Sequence, residues 1–546
     1  MRIACGRLVD PPAFRAFLRR LNTPQFRLAL KLCLPAALVA IALRGWLIAQ
    51  MPAAFVHNDT ATTVETAWTL LTRHGLEIES KKTFLTPLLY CVPALLHIPI
   101  LPFLAVVQHL LGIVTVFLGG LIVFAWFKFW RWLIVPATLL LALDPVLLWY
   151  EHAALAEIYS VFGVLLVALT ATAFHRIPNR YTFAALLVAV LFIAGARPEG
   201  RLFALFVVVL VARVWWGNWR VFRLGIAAAL AWTLLVFALT RTGQSGLLLL
   251  TSVIQLSSQK LSASPGVAEK LADLSAQTRT AWTGTEPPKL VPLRKEISRR
   301  IAALSGSKDR VDSVSKRAAL EIVLRNPAAL PGLALRKFTI AHRELPSGDF
   351  DEYAIAGQLD ALYGNGDDQK NVLYAPLMWG CNFKDEAAAK NFLESAYRPA
   401  PALTHWLQAY VTASLAPLAP IKLPGSNAKG VPISGLPWLY TFAFLGLLAL
   451  AMRRCASNKG DSRPLNFHQL WGAFLIGLWI LIMVTANIRA RFRVLFEPLW
   501  ILYALALLDT LLILATNWWP FHNWWPFHNW WPFTNWWPFQ RFRRAR

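Results

Sequence analysis

The chain has 546 residues, 57% of them hydrophobic and 15% charged, against roughly 45–50% and about 25% in an average soluble domain. That balance excludes a wholly soluble protein and leaves room for several membrane spans and one polar domain. The formal charge of +25 sits in short basic segments beside long apolar runs, which favours lipid headgroups over nucleic acid as its counterpart.

Residues 1–31 are basic and precede the first apolar run, with no clear cleavage site after it, so they are expected to be an uncleaved cytoplasmic N-terminus. Segments of about 17–25 apolar residues can cross the hydrocarbon core. Ten such segments lie near 32–50, 103–127, 132–150, 158–174, 181–196, 202–216, 224–240, 433–452, 467–487 and 494–515. Basic clusters fall at every second boundary, from Arg15, Arg19, Arg20, Arg27 and Lys31 to Arg453, Arg454 and Lys459, and place those ends inside. The stretch Leu85 to Pro102 is apolar but carries Pro87, Pro93, Pro99 and Pro102. It is expected to be interfacial or re-entrant, because counting it as a span would invert every later basic cluster.

The expected fold is therefore an all-α polytopic membrane protein. It has about ten transmembrane helices and a large, mainly helical extracytoplasmic domain between spans seven and eight. Residues 32–240 form a seven-span module whose first outer loop is 51–102; residues 241–432 are the outer domain, and 433–515 supply three more spans. In that domain, Pro327 and Pro331 should break two amphipathic helical pieces. The five cysteines are scattered without a CxxC pair, so neither a zinc site nor a disulfide framework is indicated.

Three outward-facing motifs carry candidate chemistry. FVHNDTATTVETAW follows span one and contains Asp59 and Glu65; a carboxylate at the membrane surface is partly desolvated and becomes a better base. WYEHAALAEIYSVF places Glu151 and His152 in what reads as a solvated turn, and Glu157 at the outer edge of span four, where an ionisable group is costly. Arginine is scarce by rule in short outer loops, yet Arg197 and Arg201 bracket the turn in ARPEGR, and Arg489, Arg491 and Arg493 crowd NIRARFR. Arginine's planar fork suits phosphate oxygens, and Lys81 and Lys82 can add point charges. Pairing with Glu199 and Glu497, or with lipid headgroups, is the competing explanation for the arginines. Carboxylates and guanidinium groups on one outer surface suit glycosyl transfer from a lipid phosphate: a carboxylate deprotonates an acceptor hydroxyl, its oxygen attacks the anomeric carbon, and cations stabilise the departing phosphate.

This arrangement resembles the GT-C superfamily of multispan glycosyltransferases that use polyprenyl-phosphate sugars, including protein O-mannosyltransferases and lipid A aminoarabinose transferases. The likeness rests on Asp59, KKTFLTPLLY, LAEIYSVF, ARPEGR and ARFRVLFEPLWILY, in that order, and covers the spans and outer loops through residue 240 plus the last span. It implies Asp59 as the acceptor-activating base, Glu157 as a second acid orienting acceptor or donor, and Lys81, Lys82, Arg197, Arg201, Arg489, Arg491 and Arg493 as the donor-phosphate site. The chain departs from the family in HNDT, where two adjacent acids are usual, and in WWGNW, which lacks the acid of the oligosaccharyltransferase motif and falls on the cytoplasmic side. The implied partners are a polyprenyl-phosphate sugar, membrane lipid, and a glycan, lipid or protein acceptor outside a bacterial inner membrane. No cofactor or metal ligand set is indicated; the DFDE stretch, Asp349 to Glu352, reads as an acidic loop more than as a metal motif. A lipid or glycan transporter, or a non-catalytic envelope assembly protein, is the alternative class. The closing repeat, Asn-Trp-Trp-Pro-Phe from Asn517 within residues 516–546, carries no chemistry and suits an interfacial anchor or a functionless expansion.

Overall fold

The computed structural model describes residues 23–57, 59–72, 83–239, 245–256, 265–281, 290–305, 310–334, 337, 349–363, 370–414, 438–457, 467–485 and 495–518. Among these the chain is helical, and its β pairing is a single isolated parallel bridge between Phe55 and Ala153. Helices dominate because a backbone in lipid must satisfy its own polar groups. In chain order they begin α1 (Pro24–Gln50), α2 (Thr60–Thr72), α3 (Leu85–Leu95), α4 (Ile100–Trp126), α5 (Trp130–Ala142) and α6 (Pro145–His152). There follow α7 (Glu157–Arg176), α8 (Arg180–Ala196), α9 (Leu202–Trp215) and α10 (Trp219–Leu239).

Among the described residues five helices are long and apolar enough to cross a membrane: α1, α4, α7, α10 and Glu497–Leu514. The segment expected as one span over 132–150 is instead two helices, α5 and α6, bent by 47°. Asp144 makes the break: its Oδ1 accepts from Val146 N and Leu147 N at 2.8 and 3.2 Å and starts α6 afresh, with Pro145 following. The proline-rich stretch after the first loop is an 11-residue helix, α3, followed by a turn that ends at Pro99. At about 1.5 Å per residue α3 is too short to cross by itself.

The described residues of the segment 241–432, expected as one outer domain, fall in two apolar clusters. Its first part, α11 (Ser245–Val253), α12 (Pro265–Ala281), α13 (Leu290–Ser305) and α14 (Val311–Arg325), shares a core with α7 to α9 and with the late helices. Its second part, from Phe350 through α15 (Glu386–Ala396) to α16 (Pro401–Ser414), packs on the first outer loop, α4 and α6. The break expected at Pro327 is present: α14 ends at Asn326 and a 3-10 turn follows. Pro331 instead lies inside a helical turn.

Three late helices close the bundle: α17 (Trp438–Ser457), α18 (Phe467–Thr485) and α19 (Glu497–Trp518). α17 and α19 approach so closely at Gly446 that an added Cβ would lie 1.8 Å from the Tyr503 carbonyl oxygen. Gly446→Leu should therefore lower thermal stability in detergent by about 1–3 kcal/mol or more. Gly477→Leu, on a face with nothing within 4 Å, should leave it unchanged. Equal melting of the two variants would show that the α17–α19 contact is not as described.

Beside α11, Lys337 is buried and its Nζ donates to Ser252 Oγ. Burial pushes its amine down to about 7 from 10.5. Between those values the unfolded chain binds a proton that the folded chain does not, so stability rises with pH across that window. Lys337→Met should flatten the rise in melting temperature between pH 7 and pH 9; an unchanged slope would place the lysine in water.

Candidate functional site

The site is organised by a joint between the loop that follows α1 and the turn between α6 and α7. α6 ends at His152, residues 153–156 form a short turn, and α7 begins at Glu157. Phe55 N donates to His152 O at 2.7 Å and Ala154 N returns to Phe55 O at 2.9 Å, so the two loops run side by side as paired strands would. Ala154 O accepts twice more, from Thr60 Oγ1 at 3.1 Å and Tyr90 Oη at 3.0 Å, fixing α2 and α3 to the same turn. From outside, the Gln358 side chain accepts from Val56 N and Tyr353 Oη donates to Val56 O, at 3.1 and 3.0 Å. Phe55 itself is enclosed by the rings of Trp149, His152, Phe350, Tyr353 and Tyr397. Two loops far apart in sequence thus become one rigid platform.

Asp59 stands half-buried at the entrance to α2. Its backbone is held by its neighbours: Asp59 N donates to His57 Nδ1 at 3.4 Å, and Asp59 O accepts from Thr63 Oγ1 at 3.2 Å. Glu157 is buried at the first turn of α7, where the helix dipole favours a carboxylate. Arg197 Nη1 donates to Glu157 Oε1 at 3.0 Å, while Arg197 Nε donates to Glu199 Oε2 at 3.2 Å. Hence ARPEGR is brought to the second outer motif, and its first arginine serves two carboxylates. Arg201, half-buried, lies over the Phe237 ring at 5.5 Å. Glu65 is half-buried along α2. Lys81, Lys82, Arg489, Arg491 and Arg493 lie outside the described residues, as do Asn58 and most of the repeat tail. Glu497, offered as a partner for the late arginines, is fully buried and accepts from Tyr410 and Tyr440, each at 3.2 Å.

The reading of Glu151 and His152 as a solvated turn is wrong, because both are buried in a charge network under the joint. Arg44, inside α1, donates through Nε and Nη2 to the two Glu151 oxygens, both at 2.7 Å, and through Nη1 to Ala142 O at 3.0 Å. His109 Nδ1 meets Glu151 Oε2 at 3.0 Å, and His109 Nε2 meets His152 Nδ1 at 3.1 Å. A carboxylate only accepts, so Nδ1 of His109 carries a proton; with the ring neutral, its Nε2 accepts from His152 Nδ1–H. Gly112 makes room for the network: a Cβ there would fall 2.3 Å from the Glu151 carboxylate. The sequence signal was an arginine inside one apolar run and a Gln-His pair inside another, each by default a functional or paired group.

Among the described residues no group of three His, Cys, Asp or Glu is placed to hold a metal. The DFDE acids are structural: Asp349 caps the turn at Glu352 N at 2.8 Å, and Asp351 accepts from Ala400 N at 2.5 Å. No family model matches the chain, and neither the curated proteins nor the solved structures give a match. Chemically, the platform joins the loop that carries the half-buried Asp59 to the turn that precedes the buried, arginine-held Glu157, next to apolar helices.

The network has a direct test. Glu151→Ala leaves Arg44 buried without its carboxylate and should cost about 3–5 kcal/mol, whereas Arg44→Met combined with Glu151→Leu should cost less than either single change. In ¹⁵N spectra of histidine-labelled protein, His109 and His152 should both carry the proton on Nδ1. A stable Glu151→Ala variant, or protons on Nε2, would refute the network.

Proposed function

We propose that the chain is an integral membrane glycosyltransferase that moves a sugar from a polyprenyl-phosphate donor to a hydroxyl on the extracytoplasmic side. The observation that carries the reading is the joint: Phe55–Ala153 pairing and the shared Ala154 carbonyl bring the Asp59 loop, the Glu157 turn and, through Arg197, the ARPEGR turn to one place. In this reading Asp59 takes the proton from the acceptor hydroxyl as its oxygen attacks the anomeric carbon. The carbon–phosphate oxygen bond breaks, and the phosphate leaves on the lipid with its electron pair. Glu157 orients the reacting groups. Arg197, Arg201, Arg489, Arg491 and Arg493, with Lys81 and Lys82, supply cations for the phosphate; Arg197 reaches it by exchanging a carboxylate partner.

The resemblance to the GT-C superfamily supports the same reading through motif order. A second reading, a lipid or glycan flippase, draws on Arg44 and His109, ionisable groups buried within long apolar helices. Against it, those groups are hydrogen-bonded to Glu151 and His152 close to the end of α1.

Purified chain given polyprenyl-phosphate sugars and a crude envelope acceptor should transfer sugar. Asp59→Asn should keep donor affinity and lose transfer by about 100-fold or more. An Asp59→Asn variant that turns over like the parent removes the catalytic assignment. Flipping of labelled lipid in vesicles without transfer would favour the transporter.

A further inference from the structure

Beside the ion pairs lies a second polar cluster whose atoms are left without partners. Thr86 Oγ1, Gln108 Oε1, Glu157 Oε2 and Tyr159 Oη are all buried and make no hydrogen bond. They come from α3, α4 and α7, and two pins hold them around one turn. Gln108 Nε2 donates to Leu155 O at 3.1 Å, and Tyr90, one helical turn beyond Thr86, donates to Ala154 O at 3.0 Å. The Tyr159 hydroxyl lies against the Gln108 side chain, and Tyr90 is within electrostatic reach of Tyr159 and Glu157. Gly195 lets the Phe84 ring pack where a Cβ would sit, 2.6 Å from it, which draws the Thr86 turn to the end of α8 and Arg197.

A buried polar atom without a partner forfeits its hydration and gains nothing in return. Native proteins keep such groups apart or spend them on a ligand. Here two of the atoms, Gln108 Oε1 and Glu157 Oε2, accept, and two are hydroxyls that give or take a proton. An anion is a poor match, because Glu157 would repel it. The complement is a group that both donates and accepts at several points on one face, with little charge: a set of ligand hydroxyls.

We infer that Thr86, Gln108, Glu157 and Tyr159 form a subsite for the hydroxyl face of a sugar. This rests on the reading above and deepens it: the sugar of the lipid-linked donor seats against α3, α4 and α7, with its phosphate turned away toward cations. The four atoms are enclosed, so entry requires α3, which packs on α2, α4 and α8, to move. Gln108 and Tyr159 select the sugar; the phosphate and the chain are held elsewhere.

The test uses the full chain in nanodiscs and compares binding of bare polyprenyl phosphate with its glucosyl, galactosyl, mannosyl, N-acetylglucosaminyl and arabinosyl esters. At least one ester should bind about tenfold tighter than the bare lipid, as two or three net hydrogen bonds would give. Gln108→Leu and Tyr159→Phe should erase that preference and leave affinity for bare polyprenyl phosphate unchanged. Tyr159→Phe and Thr86→Val remove unpartnered hydroxyls with little change of shape, so their melting temperatures should not fall. A loss of stability in both would assign these hydroxyls to the fold and overturn the subsite. Equal binding of esters and bare lipid by the parent overturns it too, while leaving the donor reading standing. Failure of every lipid to bind overturns the donor reading and the subsite with it.

Discussion

A guanidinium inside an apolar bundle is the constraint around which the joint between α1, α4 and α6 is arranged. Arg44 lies six residues from the end of α1 and is almost wholly buried, so it must be matched by a carboxylate and by acceptors for its remaining protons. Glu151 supplies the first and Ala142 O the second. Because Glu151 belongs to α6, satisfying one charge fixes the helix whose end carries His152, and hence the backbone that pairs with Phe55. The electrostatic requirement of one side chain thereby becomes the placement of a loop.

The loops are held by backbone pairing, hydroxyl contacts and aromatic packing, with no sheet beneath them among the described residues. That is an economical way to make a rigid surface at the rim of a helical bundle, since each added element bonds to one already fixed. The segment from Phe350 to α16 closes it from outside, with Gln358 and Tyr353 bonding to the backbone of Val56. Rigidity at the rim matters for any chemistry there, because a reacting geometry has to be kept to within a fraction of an ångström.

Much of the helical framework was legible in the sequence, because runs of apolar residues report burial in lipid or core directly. Glu157 at the start of span four and the ARPEGR turn were also legible, each as an ionisable group in a costly place. Their partnership was not: Arg197 and Glu157 are 40 residues apart, and Arg44 and Glu151 are 107 apart. Hydropathy sees a run and its edges, so it read Glu151 and His152 as edge residues when packing had taken them inside. The bend at Asp144 escaped for the same reason, since a cap within an apolar stretch barely alters its mean. Asp144-Pro145 is nonetheless a readable start signal, and weighing it would have divided the third span. The division of the outer segment between two cores depends on contacts that no single stretch of sequence contains.

The glycine under Glu151 binds three positions to a common fate. With any side chain at position 112 the glutamate has no seat; without the glutamate the arginine has no counterion; without the arginine the glutamate is a buried, uncompensated anion. Each single departure passes through a destabilised chain, so drift at these sites is blocked unless two changes arrive together. In diverging copies of this protein, Gly112, Arg44 and Glu151 should therefore be inherited as a block or replaced as a block, whatever happens to the apolar residues around them.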